Sequence, residues 1–387
     1  MAIKKKSVAI LGSTGSIGIN TLEIIDKYPK IFSVNLLCCN SNKNLIIKQI
    51  KKFLPKFVII NDYSVYKFVK KKKFKKKIFI YNNIDFLHKK VKKKFDYTIL
   101  GISGIDGFDY ALTFIKKSNS LLLANKETIV CGGRYFLKKA STYKCKIVPI
   151  DSEHYCIFNA ISCIDKKEID KIYLTASGGP FLNKNYKDYY KANLFNAIKH
   201  PKWKMGKKIS IDSATMSNKA LELMEACILF DLSPEKVKIK IHKESKVHSA
   251  IILKNGLVKL IAHNTTMKIP IENSLIKNNI FLKKNFFYKK KFFSLTFDEL
   301  NLKKFPMVSL GYKAISLGER GCIFFNVIND YLVNSYMNRE IFFYEISKKL
   351  NKVINAHEFN KYLKKKIYNL KDIYETISYS KNIAEKI

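Results

Sequence analysis

Between residues 1 and 150 the chain repeats one pattern: a short run of branched or aromatic residues, then a segment long enough for a helix. The runs are SVAILG, SVNLLCC, FVII, IFIYN, DYTILG, SLLLA and CKIVPI. Strands that alternate with helices pair in parallel through right-handed crossovers, because each helix must carry the chain back across the sheet face. The pattern predicts an α/β fold that begins with a Rossmann-like parallel sheet.

The first strand runs into GSTGSIG and then a helical segment. Gly12, Gly15 and Gly18 let the backbone approach a pyrophosphate seated on the helix N-terminus, with Ser13, Thr14, Ser16 and Ile17 completing the loop. The spacing is GxxGxxG instead of the dinucleotide GxGxxG, and a tight structural turn would use the same glycines. The second strand ends at Asn40, Ser41 and Asn42. An NAD-binding protein usually has Asp or Glu there for the free ribose 2′-hydroxyl. Its absence admits a 2′-phosphate and points to NADP.

Beyond this zone, residues 151–285 mix strand and helix patterns and carry most of the polar clusters, which predicts a central α+β catalytic domain. Residues 286–305 have no clear period and read as a connector. After Pro306, apolar residues recur at helical spacing through SLGYKAISLGERG, IFFNVINDYLVNSYM, FYEISKKLNKVINA and DIYETISYSKNIAEKI. That predicts a C-terminal helical bundle over 306–387.

A formal charge of +41 raises the question of nucleic acid. Of the 72 basic residues only Arg134, Arg320 and Arg339 are arginines, whereas readers of phosphates and base edges rely on arginine forks. Lysine abounds here with Ile, Asn, Phe and Tyr, against 15 Gly and 8 Pro. A strongly AT-biased genome accounts for that usage without a partner, and runs such as KKKKFKKK (70–77) become solvated surface. The eight cysteines form no CxxC pair, so reduced, buried thiols of a cytoplasmic bacterial protein are expected. No apolar run is long enough to span a membrane, and none resembles a signal peptide.

The stretch PIDSEHYCIF (149–158) places Asp151 and Glu153 two apart at the end of an apolar run. Read as a strand end, alternation would aim both carboxylates at one point. Like charges sharing a point need a cation or a proton between them. A hard divalent metal answers that need; two unrelated acids on a solvated strand end are the plainer alternative.

Further polar clusters are ANKET (124–128), TASGGPF (175–181) and HPKWKMGKKISIDSATMSNKALELMEA (200–226). Ser177 with Gly178 and Gly179 offers a hydroxyl and exposed amides to an anion. Ser213, Asn218 and Lys219 lie near a helix entry, and Lys219 adds the charge a phosphate needs. Glu222 follows Lys219 by three and Asn218 by four, so the three share one helix face. Each fragment alone would pass for a cap or turn.

Taken in order, GSTGSIG, LLANKE, PIDSEH, SGGPF, HPKWKMGKKISIDSATMSNKALE and IHKESKVHS closely resemble the 1-deoxy-D-xylulose 5-phosphate reductoisomerase family of the non-mevalonate isoprenoid pathway. The resemblance runs from about residue 7 into the C-terminal bundle and weakens after Met267. It implies that Asp151, Glu153 and Glu222 bind Mg²⁺ or Mn²⁺. It also implies that Ser152 orients the substrate, that Ser177, Ser213, Asn218 and Lys219 cradle its phosphate, and that Lys126 lies beside the reacting hydroxyls. Asn125, Glu127 and Gly206 are expected as cofactor contacts, and His200, Trp203 and Met205 on a mobile lid over 199–208. The implied reaction is a retro-aldol and aldol rearrangement followed by hydride transfer from NADPH, in a homodimer without nucleic-acid or membrane partners.

Three positions depart from the family pattern: Asn40-Ser41-Asn42 replaces a lysine-bearing turn, Thr265-Thr266 a Pro-Asp pair, and Asp330 a Glu. His154 and His248 match family positions and are expected as packed, hydrogen-bonded histidines. The alternatives are another NADPH-dependent oxidoreductase, which leaves the three carboxylates unexplained, and a basic nucleic-acid-binding protein, which would need aromatics interleaved with surface lysines.

Overall fold

The computed structural model describes residues 4–203, 206–276 and 294–387. Among them the chain divides into two compact units. One takes in residues 4–128, 136–151 and 267–276, and the other residues 129–135, 152–203, 206–266 and 294–387.

The first unit is built on a seven-stranded sheet: β1 (Lys6–Leu11), β2 (Phe32–Cys39), β3 (Phe57–Ile60), β4 (Phe79–Tyr81), β5 (Phe95–Leu100), β6 (Ser118–Leu123) and β7 (Lys146–Pro149). The order is β4-β3-β2-β1-β5-β6-β7, and every pairing is parallel. All seven runs read from the sequence are strands. Helices on both faces bury such a sheet, which is why its central strands are apolar without alternation; Val8–Leu11 and Phe57–Ile60 are buried throughout. The strand order reverses between β1 and β5. In parallel sheets ligands bind outside the carboxyl ends of the strands at such a switch point.

Glycine is required at two places in that turn. Gly12 has φ +81°, and a Cβ on it would lie 2.7 Å from the Gly101 carbonyl oxygen. Gly18 faces the loop so closely that a Cβ would lie 2.4 Å from both Gly12 O and Ser13 Cα. These contacts press the helix Ser16–Lys27 against the turn that precedes it.

The second unit contains a five-stranded mixed sheet: β8 (Ile169–Ala176), β9 (Val237–Ile241), β10 (Val247–Leu253), β11 (Val258–Ala262) and β12 (Asp298–Glu299), in the order β11-β10-β8-β9-β12. β8 and β9 run parallel, and the other pairs are antiparallel. The helices Ser152–Ala160, Lys207–Thr215 and Ser217–Phe230 belong to this unit, and its C-terminal part is helical. There Met307–Ser316, Glu319–Met337, Phe343–Asn355 and Leu370–Ala384 pack around Phe324, Phe325, Ile328, Leu332 and Phe343. Arg320 is buried in that bundle and donates to Tyr362 Oη (2.8 Å) and Thr376 Oγ1 (2.6 Å).

Among the described residues no helix is long and apolar enough to cross a membrane. Seven of the eight cysteines are buried, Cys163 is exposed, and all are free thiols. Lys70–Lys73 and Lys75–Lys77 are exposed.

The packing at Gly18 gives a direct expectation. Gly18→Ala should destabilise the protein by about 1–3 kcal/mol, the usual range for overpacking a close contact, and should weaken dinucleotide binding. Urea unfolding with an unchanged midpoint would show that the turn has room.

Candidate active site

Four loops of the first unit leave the carboxyl ends of neighbouring strands. After β1, the Gly12 and Ser13 amides donate to Cys38 O (3.0 and 2.7 Å), and the Gly15 amide donates to Gly12 O (3.0 Å). Gly15 begins the helix without a side-chain cap, and the buried Ser13 hydroxyl has no hydrogen-bond partner among the described residues. Gln49 Nε2 fixes the loop by donating to Ser13 O (2.8 Å). Thr14, Ser16 and Ile17 complete it, and the Ile17 side chain lies against Gly101. The loop is a tight, amide-rich concavity at a helix N-terminus, which suits a phosphate.

After β2, Asn40, Ser41 and Asn42 are exposed. The Asn42 side chain accepts from Leu45 N (3.1 Å) and so caps the next helix. Asp62 is the acid adjoining this turn, its amide donating to Asn40 O (3.3 Å). Its carboxylate is engaged with Ser64 Oγ and Val65 N, and those hydrogen bonds hold it below the usual range.

After β6, Asn125 caps the helix Lys126–Thr142 by accepting from Thr128 N (2.7 Å). Its amide group donates to Ile102 O and to Gly104 O (2.9 Å), and Glu127 Oε1 accepts from Gly104 N (3.2 Å). Asn125 and Glu127 therefore shape the loop after β5. Sequence reasoning passed over that loop, although GISGIDG (101–107) directly follows the DYTIL strand and was the available signal.

The fourth loop, after β7, holds Asp151. β6 and β7 are adjacent, with Leu123 opposite Pro149. Their ends accordingly carry Lys126 and Asp151 to one place, where Nζ and Oδ2 lie 2.7 Å apart. The strand reading of Asp151 and Glu153 needs correction: β7 ends at Pro149, and Glu153 stands in the first turn of the helix Ser152–Ala160. The two acids converge through a strand-to-helix turn, not through strand alternation. Glu222 comes from the helix Ser217–Phe230. Ligand oxygens of Asp151, Glu153 and Glu222 all lie within 4.8 Å of one another.

Around that corner, Lys219 Nζ contacts Glu153 Oε1 at 2.6 Å and also donates to Glu222 Oε2. Asn218 Nδ2 donates to the other Glu222 oxygen, so the shared helix face read from the spacing is present. Ser152 Oγ donates to Glu153 Oε2 (2.6 Å). His154 is fully buried behind the ligands. Its Nε2 lies 3.0 Å from Glu222 O, and its Nδ1 lies 3.3 Å from Glu225 Oε2. A carbonyl only accepts, so Nε2 carries the hydrogen and His154 anchors the backbone of Glu222.

The anion-binding candidates form a second group. Gly178 and Gly179 both have positive φ, and a Cβ on Gly179 would lie 2.9 Å from Ser213 O. The Ser177 loop is thus seated on the backbone of Ser213. Met216, in the left-handed conformation (φ 66°), divides the helix Lys207–Thr215 from the helix Ser217–Phe230. Ser213 closes the first, while Asn218 and Lys219 open the second.

His200 Nδ1 accepts from Lys202 N (3.1 Å) and Trp203 N (2.9 Å), so its Nε2 carries the hydrogen and donates to Ser177 Oγ (3.1 Å). Burial, and then the Lys219 charge, push His200 down to about 4, which agrees with this neutral tautomer. The half-buried Trp203 meets His248 edge to face at 6.1 Å, and His248 stacks on His263 at 3.9 Å. The stacking partner His263 was not singled out from the sequence. Gly206 is exposed, and Met205 lies outside the described residues.

Comparison with known proteins adds independent information. Residues 8–133 match the family profile described as 1-deoxy-D-xylulose 5-phosphate reductoisomerase. Residues 147–230 and 263–383 match two profiles for C-terminal domains of the same enzyme. The 1-deoxy-D-xylulose 5-phosphate reductoisomerase of Pelagibacter ubique is 40% identical over 384 residues, covering 97% of each chain. That of a Wolbachia from Drosophila simulans is 36% identical over 388 residues, covering 99% of this chain and 97% of the relative. A crystal structure of DOX-P reductoisomerase in complex with NADPH, fosmidomycin and magnesium is similar at a TM-score of 0.88 and 30% identity, covering 98% of each chain. The Zymomonas mobilis enzyme in complex with NADPH is similar at 0.85 and 28%, covering 99% of each chain.

The neutral histidines predict a pH response. Burial pushes His248 down to about 4 against an ordinary 6.5. Above pH 6.5 neither the folded nor the unfolded chain protonates this ring, and its burial costs nothing extra. Between 6.5 and 4 the unfolded chain binds a proton that the folded chain does not, so stability falls as the pH drops. Urea unfolding across that window should show the loss, and His248→Gln should remove up to about 3 kcal/mol of it. An unchanged pH slope in the variant would mean that the imidazole is charged in the fold.

Proposed function

The chain belongs to the 1-deoxy-D-xylulose 5-phosphate reductoisomerase family, and we propose that it uses the carboxylate corner and the Gly12–Gly18 loop for that family's reaction. The reaction is the NADPH-dependent isomerisation and reduction of 1-deoxy-D-xylulose 5-phosphate to 2-C-methyl-D-erythritol 4-phosphate. The observation that carries this reading is the convergence of Asp151, Glu153 and Glu222 within 4.8 Å.

The residues fit a divalent cation. They offer three hard oxygen donors, and two ammonium groups already sit against them, which marks the corner as a place for positive charge. A Mg²⁺ or Mn²⁺ held there supplies Lewis acidity toward the substrate's ketone and neighbouring hydroxyl. Lys126 steadies developing oxyanion charge on the reacting hydroxyls. Ser152 orients the substrate through its hydroxyl. Ser177, Ser213, Asn218 and Lys219 hold the phosphate, and neutral His200 fixes the Ser177 hydroxyl and the turn that presents Trp203. That turn excludes water from the reacting carbons.

The dinucleotide also fits. Gly12 and Gly18 let the turn fold tightly onto the backbone of Gly101 and of the loop itself, with Gly15 at the helix start, and the unpartnered Ser13 hydroxyl offers a donor in the same loop. NADPH supplies the hydride for the second stage. Thr14, Ser16 and Ile17 line its pyrophosphate, Asn125, Glu127 and Gly206 its remaining polar groups, and Asn40, Ser41 and Asn42 its ribose phosphate. The occupied carboxylate of Asp62 supports NADPH over NADH. A cytoplasmic homodimer without specific nucleic-acid contacts completes the reading.

Loss of NADPH absorbance with 1-deoxy-D-xylulose 5-phosphate should require Mg²⁺ or Mn²⁺. Glu222→Gln should lower kcat by at least about a hundredfold, the scale of losing one preorganised electrostatic group, while the NADPH Kd stays within about twofold. Full activity of that variant in trace metal would remove Glu222 from the ligand set. In a separate test, Ser41→Lys should tighten NADPH more than NADH; equal effects would misplace the ribose phosphate.

A further inference from the structure

We propose that Lys219 is a resident counter-ion of the metal site. A divalent cation and its ammonium compete for Glu153 and Glu222, so the metal binds tightly only once an anion has drawn the ammonium away. This rests on the metal-site reading above and adds a coupling between metal and anion.

The contacts make the case. Lys219 Nζ lies 2.6 Å from Glu153 Oε1 and bonds Glu222 Oε2, so one ammonium bridges two of the three candidate ligands. The side chain is 7% exposed, and Glu222 is 1% exposed. A buried ammonium is costly without partners, and so are buried carboxylates. A cation entering this corner needs the oxygens that Lys219 occupies, and it would set two positive groups side by side. The Lys219 ammonium then needs another partner. Lys219 is also felt by the neutral His200, which donates to Ser177 Oγ. The ammonium therefore acts on the same histidine that holds the Ser177 hydroxyl, one of the anion-binding candidates.

Charge balance points the same way. Three carboxylates face two ammonium groups, Lys126 on Asp151 and Lys219 on the two glutamates. Adding a divalent ion alone leaves the corner positive, and adding a dianion with it restores the original sign. Linkage makes the effect reciprocal: whatever factor the anion adds to metal affinity, the metal adds to anion affinity.

The test is Mn²⁺ binding to the full-length, cofactor-free protein, followed by the electron paramagnetic resonance signal of free Mn²⁺, with and without saturating methylphosphonate. Controls without protein correct for Mn²⁺ held by the phosphonate itself. In the wild-type protein methylphosphonate should tighten Mn²⁺ about tenfold, within the usual range of coupling between sites. Lys219→Met, checked for folding by circular dichroism, should bind Mn²⁺ about tenfold more tightly than wild type without the anion and should not respond to it. Wild-type Mn²⁺ affinity that ignores methylphosphonate would overturn the proposal whatever the variant does. Weaker binding by a folded Lys219→Met would overturn it as well. If the wild-type protein binds no Mn²⁺ in any condition, the metal-site reading itself fails.

Discussion

Crowded negative charge at Asp151, Glu153 and Glu222 is the constraint on which the candidate site depends. Two unit charges 4 Å apart repel by about 4 kcal/mol near a protein surface, and a third adds to that. A fold holds the arrangement only with a proton, a bound cation or built-in positive charge beside it. Here positive charge is supplied by Lys126, delivered by the strand next to Asp151, and by Lys219, one helical turn before Glu222. His154 anchors the backbone of Glu222 from behind, while Asn218 and Lys219 hold its carboxylate. Much of the local architecture is the support this corner needs: the adjacency of β6 and β7, the sharp start of the helix Ser152–Ala160, and the buried contact between His154 and Glu225.

What the sequence revealed follows from the range of each interaction. The seven strands of the parallel sheet were legible because burial on both faces writes itself into consecutive residues. The grouping of Asn218, Lys219 and Glu222 was legible because helical spacing is local. The route by which Asp151 meets Glu153 was misread, because an apolar run followed by DSE does not tell where a strand stops. The roles of Asn42 and Asn125 as helix caps were also hidden: a cap and a ligand contact call for the same short polar side chain. Contacts between distant segments left least trace. The seat of Gly179 on Ser213, the stack of His263 on His248 and the binding of the Gly104 amide by Glu127 depend on tertiary geometry alone.

The departures from the family pattern can be weighed by the same logic. Asp330, one methylene shorter than the usual Glu, still reaches Lys208 Nζ at 3.3 Å, and Lys208 also meets Asp212 at 3.2 Å. Asp212 in turn accepts from the buried Asn329 at 2.8 Å. The helix Lys207–Thr215, which carries Ser213, therefore keeps its tether despite the shortened acid. At Asn40-Ser41-Asn42 the change is of another kind. Asn42 serves the helix, Asn40 lends its carbonyl to Asp62, and no cation replaces the lost lysine in that turn. The next residue, Lys43, lies 4.5 Å over the Phe68 ring. Of the two changes, the one at Asp330 keeps an ion pair with Lys208, whereas the turn Asn40-Ser41-Asn42 carries no basic residue.

The left-handed residue Met216 connects these themes. A single helix from Lys207 to Phe230 would put Asn218 and Lys219 in its middle, where the backbone amides are already paired. The break at Met216 makes Ser217 a new beginning, so Asn218 and Lys219 fall in a first turn at a positive helix end, where the Ser217 amide donates to Thr215 Oγ1 (3.3 Å) and the Lys219 amide to Met216 O (3.1 Å). An ammonium is poorly placed there on electrostatic grounds, because the end of the macrodipole repels it. Lys219 is held in that turn by Glu153 and Glu222. An anion arriving at the same end would be favoured twice, by the helix dipole and by the ammonium. The local break in the helix thus holds Lys219 against Glu153 and Glu222 at a helix end whose dipole would favour negative charge.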